Sequence, residues 1–460
     1  MSEPLARRIV DFATDCRLDD VPAPVRALAR LHALDAIGVG LGASRLSVNR
    51  GLIDRLATLG AAGNACCTLL GSRAAVSAPV AALGNGTLIH SLEYDDTHMA
   101  SIVHGSAVVV PAALAAAQQH ALGTHAFVRL VTIGWEVLVR IGLAAPGAFQ
   151  QRGFQVTSVG GTLVAALLGA IAQGASRGQA VAAIGIAGSQ AGGIFEFLSD
   201  GSSVKAMHPG WAAHSGLMAA ELAMAGMTGP ATVLEGRFGV FRTHADAPQA
   251  GEALASLLDG LGGTWLLEQA AFKFHPCCHY IHPFLECADG LRARVPDVAS
   301  IVSIECEVPD GEAAIICEPW DRKRTPASRN EAKHSLPYCV ARRLLGRTLE
   351  IQDFAGSPVD ADATRLAARM TWRPMPDSGF PARFPARLRA RLADGRELVV
   401  DVAQVDGSAD RPPEAARVVD KFRRNAEGAC TLRGADALVD ALLGEADLPI
   451  ASLHRALHAD

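Results

Sequence analysis

Aromatic residues are scarce: Phe, Trp and Tyr together make up 5% of a 460-residue chain in which half of the residues are apolar. The apolar mass is therefore mostly Ala, Val, Leu and Ile. With 45 glycines beside it, that composition suits helices packed backbone to backbone. An excess of one charge is also missing. A formal net charge of −5 provides no basic field for nucleic acid and no long acidic tail, so a small metabolite is the expected partner. The ten cysteines contain no Cys-x-x-Cys pair. The first eighteen residues carry Glu3, Arg7, Arg8, Asp11 and Asp15, which does not read as a signal peptide, so reduced thiols and a cytoplasmic location are expected.

Long apolar runs that would span a membrane are absent as well. Two stretches without Asp, Glu, Lys or Arg are long enough to ask the question. Residues 97–128 carry His98, His104, His120 and His125 and are interrupted by Pro111; residues 153–176 are broken by Gln155, Thr157, Ser158, Gly160, Gly161 and Gln173. Both read as buried helices, and no membrane partner is expected. The signatures of phosphoryl transfer and serine hydrolysis, Gly-x-x-x-x-Gly-Lys and Gly-x-Ser-x-Gly, do not occur. Gly38, Gly40 and Gly42 imitate a dinucleotide loop, but they close a helical pattern and follow no strand.

The length exceeds what one core sustains, so two domains are expected. Apolar residues at helical spacing over 25–41 (Leu28, Leu31, Leu34, Ile37, Leu41), with Pro22 and Pro24 as start signals, predict a helix. Ala/Leu/Val/Gly blocks continue to about residue 263. The pattern then changes. Residues 300–308 alternate, with Val302, Ile304, Cys306 and Val308 on one face. Residues 386–392 alternate Ala/Leu with Arg, reach Asp394-Gly395 as a two-residue hairpin turn, and return over 398–402. Residues 335–345 and 351–367 read as partly helical, and helices resume over 415–422, 435–443 and 450–458. The expected fold class is α + α/β: a large all-helical domain (1–268), an inserted smaller α/β lid (269–405), and helices (406–460) that return to the first domain.

Chemistry concentrates in three segments. Residues 92–104 pack Glu93, Asp95, Asp96, Thr97, His98 and His104 between apolar flanks. Burying such charge costs several kcal/mol unless it is paired, and acid–base work or ligand binding explains why the cost is tolerated. If the helix around 88–92 continues through His98, then Glu93, Asp96 and Thr97 share one face, and Asp95 and His98 another. The second segment, 205–216, offers Lys205 near a helix start for an anion, with His208 and His214 nearby. Trp211 reads as core and His214 as a packing residue. The third, 272–283, has Lys273, His275, Cys277, Cys278, His279 and His282. A zinc site is the alternative of a different class here. Because Cys277, Cys278 and His279 are consecutive, Lys273 and His282 binding or protonating an acid is the preferred reading.

Taken together, the chain resembles the MmgE/PrpD family nearly end to end. The resemblance is carried by Leu34-Asp35 with Gly38, Asn85-Gly86 with His90, Tyr94-Asp95-Asp96-Thr97-His98, His104-Gly105-Ser106, the segment 208–216 from His208 to Gly216, Phe272-Lys273 with Cys278 and His282, and 331–338. That family includes 2-methylcitrate dehydratase, cis-aconitate decarboxylase and iminodisuccinate epimerase. The resemblance implies a helical domain with an α/β lid, a homodimer, and no metal or organic cofactor. By position it implies Asp95, Asp96, Thr97, His98, His104, Lys205, Lys273 and His282 as catalytic residues, with Glu93, Gln155, His208 and Cys278 binding substrate. Two departures stand out. Glu93 lies where Asp is frequent, and Gln155 follows Gly153-Phe154 where the family often has a histidine; an amide cannot exchange a proton at neutral pH.

The expected function is proton abstraction next to a carboxylate in a small di- or tricarboxylic acid. Lysine and histidine donors would stabilise the charge that develops. Dehydration of a 2-methylcitrate-like hydroxy acid comes first. Epimerisation of an aminodicarboxylate such as iminodisuccinate and decarboxylation of cis-aconitate are the alternatives.

Overall fold

Small side chains set how closely the helices approach one another. In the computed structural model, which describes residues 3–61, 65–295, 297–355 and 360–457, α1 (Ala23–Ser44) has Pro24 in its first turn. A proline is tolerated there because the amide would have no partner. α2 (Ala78–His90), α3 (Gly105–Gln119), α4 (Thr124–Ala144), α5 (Val156–Ala172) and α6 (Met207–Met224) follow. Where α2 crosses α6, a Cβ on Gly86 would lie 2.6 Å from the Gly210 Cα, and one on Gly210 would lie 2.2 Å from the Leu83 carbonyl oxygen. No side chain fits at that crossing, so the glycine content is what lets α6 lie directly on α2.

The residues fall into two compact units. One contains Met1–Ser91, Asp95–Ala270 and Glu414–Asp460; the other contains Leu92–Tyr94 and Ala271–Pro413. The first is helical apart from very short strands. The helix Ala415–Ala426 packs against α1, where Lys421 is fully buried and its Nζ lies 2.8 Å from the Asp35 carboxylate. Residues 432–443 and 451–457 are also helical; His458, the end of the expected last helix, lies outside the described residues. No helix among the described residues is long and apolar enough to cross a membrane.

The second unit is built on a four-stranded sheet, β1 (Ile301–Pro309), β2 (Met370–Met375), β3 (Ala386–Leu392) and β4 (Glu397–Val402), in the order β2-β1-β3-β4. β1 runs parallel to β2, and the other pairs are antiparallel. One face is covered by α7 (His282–Arg292), which packs on β3 and β4, and α7 in turn packs on α9 (Leu336–Leu344). On β1 the carboxylate of Glu307 sits among Arg373, Arg387 and Arg389, which accounts for two of the alternating arginines of β3, Arg387 and Arg389. Residues 351–354 and 361–367 are helical turns; 356–359, within the same expected segment, lie outside the described residues.

Four local expectations are corrected. The helix does not continue from 88 to 98: α2 ends at His90, and Glu93 has φ +55°, a left-handed conformation no α-helix can contain. The Asp394-Gly395 turn is not a two-residue loop. Leu392 N–H donates to Arg396 O and Gly395 N–H to Leu392 O, and only Gly395 takes positive φ (+86°). That is a three-residue loop with the glycine in the bulge position. Val302 is 45% exposed rather than facing the core, because a register irregularity between Ile301 and Ser303 shifts the alternation. Trp211 is 42% exposed; the buried side of α6 there is Ala212, Ala213 and Gly216, and the indole stacks outward on His214.

Glu312, on the short helix α8 (Asp310–Ile316), is fully buried, and neither carboxylate oxygen has a hydrogen-bond partner among the described residues. Burial pushes its pKa well above its ordinary 4.5. The folded protein therefore keeps a proton that the unfolded chain releases, so this group's stabilisation is complete below pH 4.5 and is lost as the pH rises toward the folded-state value. A Glu312→Met variant is expected to be more stable than the parent at pH 7.5 by about 2 kcal/mol, with the difference shrinking toward pH 5. Equal melting temperatures at pH 7.5 would contradict this account.

Candidate active site

The first unit brings together residues far apart in sequence around one carboxylate. His90 is the last residue of α2. After the break at Glu93 the chain turns back, and Asp95 accepts through Oδ2 from His90 Nδ1 at 2.8 Å and His104 Nδ1 at 3.2 Å. His104 sits at the N-terminus of α3, where its backbone N–H donates to Thr157 Oγ1 at 3.0 Å. Thr97 Oγ1 is 3.5 Å from His104 Nδ1. Burial works to raise the Asp95 pKa, but the two imidazoles and their hydrogen bonds hold it well below the usual carboxylate range. An ionised carboxylate at 0% exposure, touching two imidazoles whose ring centres are 4.8 Å apart, is an arrangement that tunes proton transfer. Of the pair, His104 is the more open, its side chain 15% exposed against 0% for His90.

Behind this pair the network extends through Gln155, which caps α5. Its Nε2 lies 3.2 Å from His90 Nε2, and its Oε1 lies 2.8 Å from His208 Nδ1. Burial, then the neighbouring His90 and Lys205, push the His208 pKa down to about 4. Lys205 stands in the short turn Ser203–Ala206 that leads into α6.

Asp96 and His98 point elsewhere. Asp96 Oδ2 is 2.7 Å from His32 Nδ1, and its Oδ1 accepts from the Ser106 backbone N–H at 3.0 Å, tying α1 to the start of α3. Trp135 packs on His32 and donates to Ser106 Oγ. His98 Nδ1 lies 2.8 Å from Ser101 Oγ, and burial pushes its pKa down to about 4. Sequence reasoning placed His90 only within the family pattern and did not single out His32 or Thr157. Histidines on otherwise apolar helices carry no distinguishing local signal.

The second unit holds Glu93, Lys273, Cys278 and His282. Lys273 is fully buried, and its Nζ donates to the Glu93 backbone carbonyl at 3.3 Å. The Glu93 carboxylate lies 3.8 Å from His334 Nε2, a residue the sequence placed only within the family segment 331–338. Cys278 is buried, and its N–H donates to Lys333 O. His282 opens α7, and its Nε2 has no hydrogen-bond partner among the described residues. Burial, followed by His279, His275 and Lys273, lowers its pKa well below the usual imidazole range.

Among the described residues, the His, Cys, Asp or Glu side chains whose potential ligand atoms converge are His90, Asp95 and His104, all within 4.8 Å of one another; the 275–282 run forms no such group. The separations around Asp95 are hydrogen-bond lengths. A chain of contacts runs from His208 through Gln155 and His90 to Asp95 Oδ2, while Asp95 Oδ1 has no hydrogen-bond partner among the described residues.

Comparison with known proteins shows the family. The MmgE/PrpD N-terminal domain matches residues 7–253, and the MmgE/PrpD C-terminal domain matches residues 275–443. A cis-aconitate decarboxylase-like protein, oryM, of Aspergillus oryzae is 26% identical over 435 residues, covering 90% of this chain and 89% of the relative. A cis-aconitate decarboxylase of Aspergillus terreus is 24% identical over 435 residues, covering 90% and 88%. The cis-aconitate decarboxylase of Homo sapiens is 27% identical over 362 residues, covering 75% and 72%.

Proposed function

This chain belongs to the MmgE/PrpD family, and from that premise we propose that it is a lyase that decarboxylates an unsaturated tricarboxylic acid of the cis-aconitate type. In such a reaction the bond to one carboxylate breaks and its electron pair forms a new alkene. The pair of the old alkene takes up a proton on carbon, and carbon dioxide leaves. One acid suffices. His104 is proposed as that acid, its cationic form supported by ionised Asp95, with Thr97 steadying the ring and Lys205 holding a substrate carboxylate.

The observation that supports this reading most is the count of proton-transfer groups beside Asp95. His104 is the open one, His90 is enclosed, and position 155 is an amide that does not exchange protons at neutral pH. Dehydration of a 2-methylcitrate-like hydroxy acid needs both a base for the carbon and an acid for the leaving hydroxyl, and epimerisation of iminodisuccinate with inversion needs a proton on each face. Both therefore fall behind decarboxylation, the reaction in the relatives' names. Lys273 and His282 are kept as proposed participants, each tested by its own substitution. The homodimer remains part of the proposal.

Proton NMR in deuterated buffer, with cis-aconitate, 2-methylcitrate and iminodisuccinate as substrates, tests the assignment. Decarboxylation gives carbon dioxide and one deuterium on carbon. Water loss from 2-methylcitrate, or exchange with inversion and no new alkene, would replace it with one of the other two reactions. Failure of every acid to release carbon dioxide would overturn it.

A further inference from the structure

We infer that Gln155 is a positioning residue that fixes the proton arrangement of His90, and that it thereby makes His104 the imidazole of the Asp95 pair that carries exchangeable charge. The catalytic consequence rests on the function proposed above; the proton arrangement does not.

Gln155 is 4% exposed and held at both ends. Its backbone N–H donates to Gly193 O at 2.9 Å, and its side-chain amide bridges two imidazoles. An amide presents one accepting and one donating end. With Oε1 against His208 Nδ1, that nitrogen carries a proton and donates. With Nε2 against His90 Nε2, the His90 nitrogen is bare and accepts. The other His90 nitrogen, Nδ1, faces Asp95 Oδ2 at 2.8 Å and donates to it. His90 is then neutral, with a single proton on Nδ1.

Turning the amide over would put Oε1 against His90 Nε2 and require a second proton there. That would make His90 a cation, fully enclosed and 4.8 Å ring to ring from His104, which shares the same carboxylate oxygen. Two buried cations on one carboxylate are electrostatically poor. Among the described residues, the charged and polar groups recorded against His90 are Asp95, His104 and Gln155, with His208 beyond Gln155 and Lys205 acting on His208. None of them is a second carboxylate that would favour charging it. A neutral amide at 155 therefore leaves the charge of Asp95 to His104.

The arrangement is read directly from long-range proton–nitrogen spectra of the full-length protein labelled with 15N-histidine, recorded from pH 5.5 to 8.5. The His90 signals are identified by their loss in His90→Gln. In the wild type, His90 is expected to show a protonated Nδ1 and a bare Nε2 throughout. Gln155→Glu is expected to add a proton at Nε2, and Gln155→Met, which cannot donate to Nε2, to release the constraint that keeps the single proton on Nδ1. In Gln155→Glu the loss of activity on the alkaline side is expected to move about one pH unit lower, with kcat changed more than KM. A wild-type His90 protonated at Nε2 at pH 7 would overturn the inference, as would an identical His90 pattern in all three proteins. If the variants do not fold, the wild-type spectrum alone decides. These spectra need no substrate, so a failed decarboxylation assay and a wrong proton arrangement remain distinguishable.

Discussion

His104→Gln is expected to lower turnover of the decarboxylated substrate about a thousandfold while leaving the fold intact. General acid catalysis by a positioned imidazole is worth roughly 10²–10⁴, and the upper half of that range applies to a group backed by an ionised partner. Glutamine is close to histidine in size, and its amide can still donate to Asp95 Oδ2, which His104 Nδ1 now reaches at 3.2 Å. The backbone N–H bond to Thr157 Oγ1 is independent of the side chain. What glutamine cannot do is release a proton. Asp95→Asn should fall in the same direction, because it removes the charge that supports the imidazolium. Thr97→Val should cost about tenfold, the value of one hydrogen bond of ordinary strength. Steady-state rates at saturating substrate, with circular dichroism and melting curves as controls, give the answer. A His104→Gln enzyme within tenfold of the parent would remove His104 from the reaction.

The second large effect is on stability. His98 and His208 are 1% and 3% exposed, and burial lowers each from an ordinary value of 6.5 to about 4. Below pH 6.5 the unfolded chain takes up protons that the folded protein refuses. Stability from these groups is thus fully present above the unfolded value and is lost as the pH falls toward the folded one. The slope is about 1.4 kcal/mol per pH unit for each histidine, which sums to roughly 3 kcal/mol apiece over the window. Asp95, whose pKa is lowered, acts in the same sense only at more acidic pH. Urea unfolding at pH 7, 5.5 and 4.5 should show the midpoint falling steeply. A His98→Gln variant should lose less, by about 2–3 kcal/mol at pH 4.5. Parallel curves for parent and variant would show that His98 is protonated in the fold.

Much of the fold was legible because it depends on periodicity. The helix expected over 25–41 is Ala23–Ser44, and the arginine-alternating strand is Ala386–Leu392. Both are set by side chains that repeat with the period of the element. Errors arose where one residue overrides the period: Glu93 with positive φ, the irregularity beside Val302, and Gly395 at a bulge. Such features depend on a single backbone choice that the average pattern does not register.

The segment from Glu93 to His104 was visible as a concentration of charge, and the residue types pointed to proton chemistry on an acid, which is the function proposed for it. Its internal division was not visible. Asp95 faces His90 and His104, Asp96 faces His32, and Glu93 belongs with Lys273 in the second unit. Composition and motif order were enough to establish the family and a chemistry of small carboxylic acids, because those depend on which groups are present. Which adjacent carboxylate meets which imidazole depends on a turn of a few residues and on helices 50 or more positions away, supplying Gln155 and His208. Which groups become hydrogen-bond partners depends on distance in space, and separation along the chain does not encode it.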